Sequence, residues 1–303
     1  MRTGTVLRAQ GGVYEVETPE GMLEATLRGR LKREQRTGER VVVGDRVEVE
    51  RAEPGDTSEW MIERVHERTS VLARRAPGKA PRPKPIVANV DQVLIVFAAA
   101  KPDPHLRMVD RFLVIAEAAD IQPVLVVNKT DVAGEAAARA VFAHYERAGY
   151  PVIYTAAKAG VGVEAMREVL HGRISALTGP SGVGKSSLLN AIQPGLGLRV
   201  ASISEAVNKG RHTTVTAQLI PLEGGGYVAD TPGLREVGLW QVEHDQLQFY
   251  FPEFEPYGGQ CRYPTCTHVH EPGCAVRAAV AAGDIHEGRW ESYRRMMEGE
   301  DED

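Results

Sequence analysis

The chain has 303 residues, 43% hydrophobic and 25% charged, with a formal net charge of −5. That allows two or three soluble domains with real cores. It sets aside a membrane protein or a secreted one. No apolar run approaches the ~20 residues that cross a bilayer, and Met1-Arg2-Thr3-Gly4-Thr5-Val6 lacks a signal peptide's apolar stretch. A cytoplasmic location is therefore expected. The average charge hides an asymmetry. Residues 1–85 carry 17 Lys/Arg against 14 Asp/Glu, a net of +3, and the remainder carries −8. A basic N-terminal third is compatible with a nucleic-acid partner.

Residues 1–70 read as all-β. Gly4-Thr5-Val6-Leu7 and Val13-Tyr14-Glu15-Val16-Glu17 flank Gly11-Gly12, a hairpin signal. Val41 to Glu50 reads as two short strands about Gly44-Asp45. Several short strands in this length suit a small closed barrel, OB-fold-like or SH3-like. Residues 74–85 hold five positive charges, four prolines and no acid, a poor helix and a poor strand. They read as an extended linker, either a solvated connector or a phosphate-contacting arm.

From residue 86 to about 230, strands and helices alternate. The strands are Val93–Phe97, Val124–Val127, Val152–Tyr154 and Ile174–Leu177; the helices are 105–119, Ala136–Ala148, Val163–Leu170 and Lys185–Ile192. Fully apolar strands between helices predict a mostly parallel sheet covered on both faces. Thr216–Leu222 and Tyr227–Asp230, joined by Gly224-Gly225-Gly226, should pair antiparallel. Residues 241–303 are short and bear cysteine and histidine, with helices expected over Ala275–Ala282 and Ile285–Met297.

Gly179-Pro180-Ser181-Gly182-Val183-Gly184-Lys185-Ser186 fits the phosphate-loop pattern G-x-x-x-x-G-K-[ST], with Ser187 following, between a strand and a helix. Glycines let backbone N–H groups turn to an anion, and the helix N-terminus adds positive partial charge. Lys185 can reach the β- and γ-phosphates, and Ser186 can ligate Mg²⁺. Asp230-Thr231-Pro232-Gly233 follows a strand end, where Asp230 suits Mg²⁺ and the Gly233 N–H suits the γ-phosphate. Asn128-Lys129-Thr130-Asp131 has the residue types that read guanine. Asp131 can accept from N1–H and the 2-amino group, Asn128 can serve the O6/N7 side, and the Lys129 stem can pack on the base. Ala156-Ala157-Lys158 resembles the Ser-Ala-Lys segment of GTPases, in which a backbone N–H meets O6, although alanine stands at 156 in place of serine.

Asn128 precedes Gly179, the reverse of the order in Ras-like GTPases. Circular permutation accounts for this, because domain termini often lie close together and can be joined while the chain is cut elsewhere. The segment after Asp230 then runs straight into the C-terminal domain, and a γ-phosphate contact at Gly233 is expected to reposition that domain. Lys209-Gly210-Arg211-His212-Thr213-Thr214-Val215 lies where a first switch belongs, so Thr213 or Thr214 can complete the Mg²⁺ shell. Leu234 stands where Ras-type enzymes carry a water-orienting glutamine. His212 is the candidate replacement, the alternative being a solvent-facing loop histidine.

All three cysteines, Cys261, Cys266 and Cys274, fall within fourteen residues. Clustered and odd in number, they read as metal ligands and not as a disulfide framework. With His268 or His270 they make a three-thiolate, one-imidazole tetrahedral set of the structural zinc type, His268 being preferred.

Together these motifs closely resemble the ribosome small-subunit-dependent GTPase A family (RsgA, also called YjeQ or YloQ), over essentially the whole chain. The resemblance implies an OB-fold N-terminal domain and low intrinsic GTPase activity stimulated by the small ribosomal subunit, whose late maturation it would serve. It also implies Cys261, Cys266, His268 and Cys274 as zinc ligands. The cluster Arg28, Arg30, Lys32, Arg33, Arg36 and Arg40 is a plausible phosphate face for rRNA, or else a solvated strand edge. The expected organisation is multi-domain: an OB-like barrel over 1–72, a basic proline-rich linker over 73–88, a circularly permuted P-loop GTPase domain over 89–238, and a mostly helical zinc-knuckle domain over 239–303. GTP, Mg²⁺ and one structural Zn²⁺ are the expected ligands, the small ribosomal subunit the expected partner, and a monomer the expected state. The rival readings are a nucleotide-gated RNA-binding protein with incidental hydrolysis and a P-loop ATPase; Asp131 argues against the second.

Overall fold

The structure, a computed structural model, describes residues 1–32, 40–53, 59–75, 83–197, 217–230 and 242–299. The chain forms two compact units: Met1–Val93, Val163–Thr178 and Lys185–Val237 in the first, and Leu94–Gly162, Gly179–Gly184 and Gly238–Asp303 in the second.

In the first unit, β1 (Arg2–Gln10), β2 (Val13–Thr18), β3 (Gly21–Leu27), β4 (Arg46–Arg51) and β5 (Trp60–Val65) pair in the order β1-β2-β3-β5-β4, and β4 returns to β1 to close a five-stranded barrel. The first hairpin turns at Gly11 and Gly12, both at positive φ (61° and 87°), as a two-residue turn between right-twisted strands requires. Alternate residues point inward: Tyr14 and Val16 from β2, Val47 and Val49 from β4. They meet Val6, Leu27 and Ile62 in the barrel core. The 41–50 segment differs from expectation. Only β4 is a strand; Val43 makes a single bridge to Val87, because the chain bends at Gly44 (φ 88°) to bury Asp45. Asp45 accepts from Val42 N and from both Nε and Nη2 of Arg68, at 2.7, 2.7 and 2.9 Å.

The expected linker is also corrected at its ends. Val71–Arg75 (β6) and Pro83–Ala88 (β7) form a two-stranded antiparallel ribbon. Its apolar pair Leu72–Val87 is buried. Pro83 and Pro85 are tolerated because a two-stranded ribbon leaves edge positions where no N–H is needed. Residues 76–82 lie outside the described residues.

β1 also pairs with the rest of the unit's sheet. The order β11-β13-β12-β1 joins β11 (Ile174–Thr178), β13 (Tyr227–Asp230) and β12 (Gln218–Pro221) to the barrel, β13 running parallel to β11 and antiparallel to β12. One register line crosses three strands: Arg8 faces Gln218, and Gln218 faces Asp230. The Tyr227 hydroxyl bonds the Glu17 carboxylate on β2. Helices α4 (Val163–Leu170) and α5 (Lys185–Ile192), each with the expected limits, belong to this unit, and Arg167 donates to the last carbonyl of α5, Ile192 O, at 3.1–3.2 Å.

In the second unit, β8 (Gln92–Ala98), β9 (Gln122–Asn128) and β10 (Val152–Tyr154) lie in the order β10-β9-β8, with β9 and β10 parallel. Helices α1 (Leu106–Ala118), α2 (Thr130–Ala133) and α3 (Glu135–Arg147) follow their strands. Two 3-10 segments, Leu247–Tyr250 and Pro252–Tyr257, precede α6 (Ala275–Ala282) and α7 (Glu287–Glu298). Val114 of α1 shares one buried cluster with Leu247, Phe251, Phe254, Val276 and Tyr293. No described helix is long and apolar enough to cross a membrane.

A charged network sits inside this unit. Arg289 of α7 is 1% exposed. It donates to Asp110 Oδ1 of α1 at 2.8 Å and forks onto Glu253 through Nε and Nη2 at 2.6 and 3.2 Å. Tyr145 of α3 donates to Asp110 at 2.9 Å, Ser292 also bonds Asp110, and the Phe251 ring lies 4.5 Å below the guanidinium. Burial works against the charge of Arg289, but Glu253 and Asp110 outweigh it and hold the guanidinium protonated. Breaking a buried pair strands the remaining charge. Arg289→Met should therefore cost about 3–5 kcal/mol in urea unfolding; a loss below about 1 kcal/mol, the range of a surface pair, would show that solvent reaches Asp110.

Candidate functional site

Two loops of the second unit meet at Asn128. β9 ends there, and Lys129 turns the chain in the left-handed region (φ 61°) before α2 begins at Thr130. Asn128 is 2% exposed, and its amide is used on both sides. Nδ2 donates to Val183 O of the phosphate loop at 2.9 Å, while Oδ1 accepts from Thr155 Oγ1 at 3.0 Å and Ala157 N at 3.2 Å. Thr155 N bonds Val127 O, and Thr130 N bonds Thr155 O, so the 155–158 segment is pinned beside Asn128-Lys129-Thr130-Asp131. Lys129 Nζ bonds Lys101 O. Asp131 and Lys158 are exposed, as a base-reading carboxylate and its flanking lysine need to be.

Two residues expected to meet guanine also have protein partners. Asn128 is expected at the O6/N7 edge, and its amide braces the phosphate loop and the 155–158 segment. Of the backbone N–H groups in 156–158 expected near O6, that of Ala157 donates to Asn128 Oδ1. Thr155, not singled out from the sequence, supplies the hydroxyl that orients the Asn128 amide; its place immediately before Ala156-Ala157-Lys158 is the signal that points to it.

The glycines of the phosphate loop are there for space and conformation. Gly179, Gly182 and Gly184 have φ of 132°, 82° and 93°. A Cβ on Gly179 would lie 2.1 Å from Val96 O, and one on Gly184 would lie 2.5 Å from Asn128 Nδ2. Both are impossible contacts, so the close approach of loop to β8 and loop to Asn128 exists only with glycine there. Val183 between them is buried, while Ser181 and Gly182 are exposed at the loop's crown. The chain continues into α5 at Lys185, with Ser186 and Ser187 exposed in its first turn. This is the strand–loop–helix context expected of a phosphate loop. Asp230 ends β13. His212, Thr213, Thr214 and Gly233 lie outside the described residues, as do Arg33 and Arg36 of the basic cluster. Within that cluster Arg28 is engaged by Glu63 at 2.6 Å, which lowers the positive charge it offers.

The third constellation is the cysteine cluster. One ligand atom from each of Cys261, Cys266, His268 and Cys274 lies within 4.8 Å of all the others. His268 Nδ1 is 3.5 Å from Cys261 Sγ and 3.4 Å from Cys274 Sγ, and those sulfurs are 3.9 Å apart. A tetrahedron with metal–sulfur bonds of about 2.3 Å has edges of about 3.8 Å, so the donors already stand at coordination spacing. His270 is exposed and outside the group. Backbone N–H groups of Ala275 and Arg277 donate to Cys261 and Cys274 sulfurs at 3.3 and 3.4 Å, which favours thiolates, and Cys274 caps the N-terminus of α6. Burial pushes the Cys266 thiol up to about 12 and raises Cys274 as well. A cation held by these sulfurs would displace the thiol protons. The four donors fit a metal ion with no protein position left open.

The RsgA GTPase family profile matches residues 65–240, and the RsgA N-terminal domain profile matches residues 3–57. The Small ribosomal subunit biogenesis GTPase RsgA of Gemmatimonas aurantiaca is 54% identical over 298 residues, covering 98% of this chain and 96% of that one. The protein of the same name from Moorella thermoacetica is 44% identical, covering 97% and 96%. The crystal structure of YjeQ from Thermotoga maritima superposes with a TM-score of 0.80 at 38% identity, covering 98% of both chains. That of YloQ, described as a circularly permuted GTPase, gives 0.76 at 29% identity, covering 99% of this chain and 94% of the other. The matches run over nearly the full length of both chains, and this chain belongs to the RsgA GTPase family.

Proposed function

We propose that this chain hydrolyses GTP to GDP and phosphate, with Mg²⁺, in the late maturation of the small ribosomal subunit, and that the subunit stimulates the reaction. The observation that carries this reading is the Asn128 amide bonded to Val183 O, 2.9 Å across two loops that lie 55 residues apart in rotated order. It ties a guanine-type loop to a phosphate loop, and the relatives' printed name supplies the ribosomal setting. The domain limits that go with it are a barrel over 1–72, a connector over 73–88, a GTPase domain over 89–238 and a metal-binding domain over 239–303. The partners are the small subunit's rRNA and GTP, and the working state is a cytoplasmic monomer.

Each residue's part follows from its chemistry. Asp131 takes the N1–H and 2-amino donors of guanine, Asn128 serves the O6/N7 side, the Lys129 stem lies on the base, and the Ala157–Lys158 segment offers the Lys158 N–H to O6. The amides of Gly179, Pro180–Gly184 and the following turn surround the phosphates, except for proline, which has no N–H. Lys185 and the Gly233 N–H offset charge on the γ-phosphate, Ser187 extends the helix N-terminal turn, and His212 positions water. Ser186, Asp230 and Thr213 or Thr214 would hold Mg²⁺, which would supply positive charge against the phosphates. Cys261, Cys266, His268 and Cys274 would hold one structural Zn²⁺, giving a small terminal domain the stability its short chain lacks. Leu234 cannot orient water, which favours a partner-dependent rate.

The test is hydrolysis of GTP and ATP with and without purified small subunits. GTP should be preferred and its turnover raised by the subunits; equal rates for both nucleotides, or none, would remove the proposal. Asp131→Asn should move binding from guanine toward xanthine nucleotides, read by competition titration. Gly184→Ala puts a methyl against the Asn128 amide, at a cost of roughly 2 kcal/mol. Binding of fluorescent GDP should weaken by about tenfold or more, with unchanged affinity speaking against the two-loop brace.

A further inference from the structure

Beyond the four donors, we infer that Gln248 is the positioning residue that sets which ring nitrogen His268 presents, and thereby the affinity of the cluster for its metal. The inference rests on the metal reading of Cys261, Cys266, His268 and Cys274.

The geometry is specific. His268 turns Nδ1 toward the sulfurs of Cys261 and Cys274, while Nε2 lies 2.9 Å from Gln248 Oε1. An amide oxygen only accepts. With that oxygen against Nε2, the ring proton sits on Nε2 and the Nδ1 lone pair points into the cluster. The opposite amide orientation would set NH₂ against Nε2 and force the proton onto Nδ1, where it would compete with a cation for the same space. A cation shared with the thiolates therefore selects the oxygen-in orientation of Gln248, and that orientation in turn favours the cation.

The ring has little other freedom. His268 sits in the left-handed region (φ 63°), an uncommon conformation for a residue with a side chain. Its carbonyl accepts from Trp290 Nε1 at 2.9 Å. The neighbouring carbonyl of Thr267 accepts from Tyr293 OH at 2.7 Å. Backbone and ring are thus held by two separate elements, α7 and the turn that carries Gln248. Gln248 itself rides on the 3-10 turn Leu247–Tyr250, and Leu247 is buried in one cluster with Val114 of α1 and with Cys266 and Cys274. The orienting amide is placed by packing on the GTPase-side helix and not by the cysteine-rich loop. Nothing in the Cys-x4-Cys-x-His-x5-Cys spacing points to it.

Partners that orient a metal-binding histidine typically change metal affinity by about 10–100-fold. The test uses the full-length chain with zinc alone as probe, competed against a chromogenic chelator. Gln248→Leu should weaken zinc binding by about 10–100-fold. Gln248→Glu keeps an accepting oxygen and should hold zinc at least as tightly as the wild type to within a few-fold. Nitrogen-15 shifts of His268 should show one Nε2–H tautomer in the wild type and in Gln248→Glu, and a mixture in zinc-free Gln248→Leu. Guanine-nucleotide binding by each zinc-loaded variant reports that the chain is folded. Equal zinc affinity for Gln248→Leu and wild type would overturn the inference, as would Gln248→Glu falling as far as Gln248→Leu, since packing alone would then explain the loss. A wild-type chain that takes up no zinc would overturn the metal reading as well, an outcome distinct from either variant result.

Discussion

The carboxamide of Asn128 is the point on which the nucleotide-type architecture turns. It lies at the end of a strand whose side chains are almost wholly buried, so its polar atoms must find partners inside the protein. They find a carbonyl of one loop and a hydroxyl and an amide of another. Because the three partners come from two separate stretches of chain, their bonds to one amide group tie the two loops together. An aspartate there could not donate to Val183 O, and a leucine would leave that carbonyl and the Thr155 hydroxyl without a partner. Glycine at 184 follows from the same contact, since any side chain would displace the amide.

Permutation leaves such an arrangement intact because packing depends on which residues meet and not on the order in which the chain visits them. What it alters is what the ends are attached to. In the first unit, the strand ending at Asp230 is paired with Gln218, and Gln218 is paired with Arg8 of the barrel. The Tyr227–Glu17 contact adds a second tie between the same strands' neighbourhood and the barrel. Burial and the Glu17 hydrogen bond push the Tyr227 hydroxyl up to about 12, so it remains a neutral donor at any physiological pH. An element expected to bind RNA and a strand expected to face magnesium therefore belong to one hydrogen-bonded sheet.

The C-terminal segment solves a different problem, that of a short chain with a small core. Its apolar residues join Val114 of α1, and its buried arginine is neutralised by Asp110 of the same helix. Polar and apolar anchors thus converge on α1. Cys266 and Cys274 of the four-donor cluster share that apolar core, and Glu271 beside them receives N–H and O–H bonds from Thr267. Burial opposes ionisation of Glu271, but those bonds prevail and hold its carboxyl down at about 2.

The sequence by itself determined what is local or repeated in a short window. The hairpin at Gly11-Gly12, the apolar strands, the limits of Val163–Leu170, Lys185–Ile192 and Ala275–Ala282, and the glycine pattern of 179–184 all follow from periodicity, capping and conformational freedom. The cysteine spacing likewise announces donors of one chemistry. Tertiary structure alone decided what depends on distant partners. It replaced an expected strand at Val41–Val43 with a bend around buried Asp45, whose partner Arg68 no window includes. It made strands of the two ends of a proline-rich linker, because Leu72 and Val87 bury each other there. It aimed at the sulfurs only the ring of His268, which the sequence preferred over His270 but could not orient. Hydrogen bonds and burial are set by three-dimensional neighbours, and a side chain's role is legible in sequence only where those neighbours lie within a turn or two of chain.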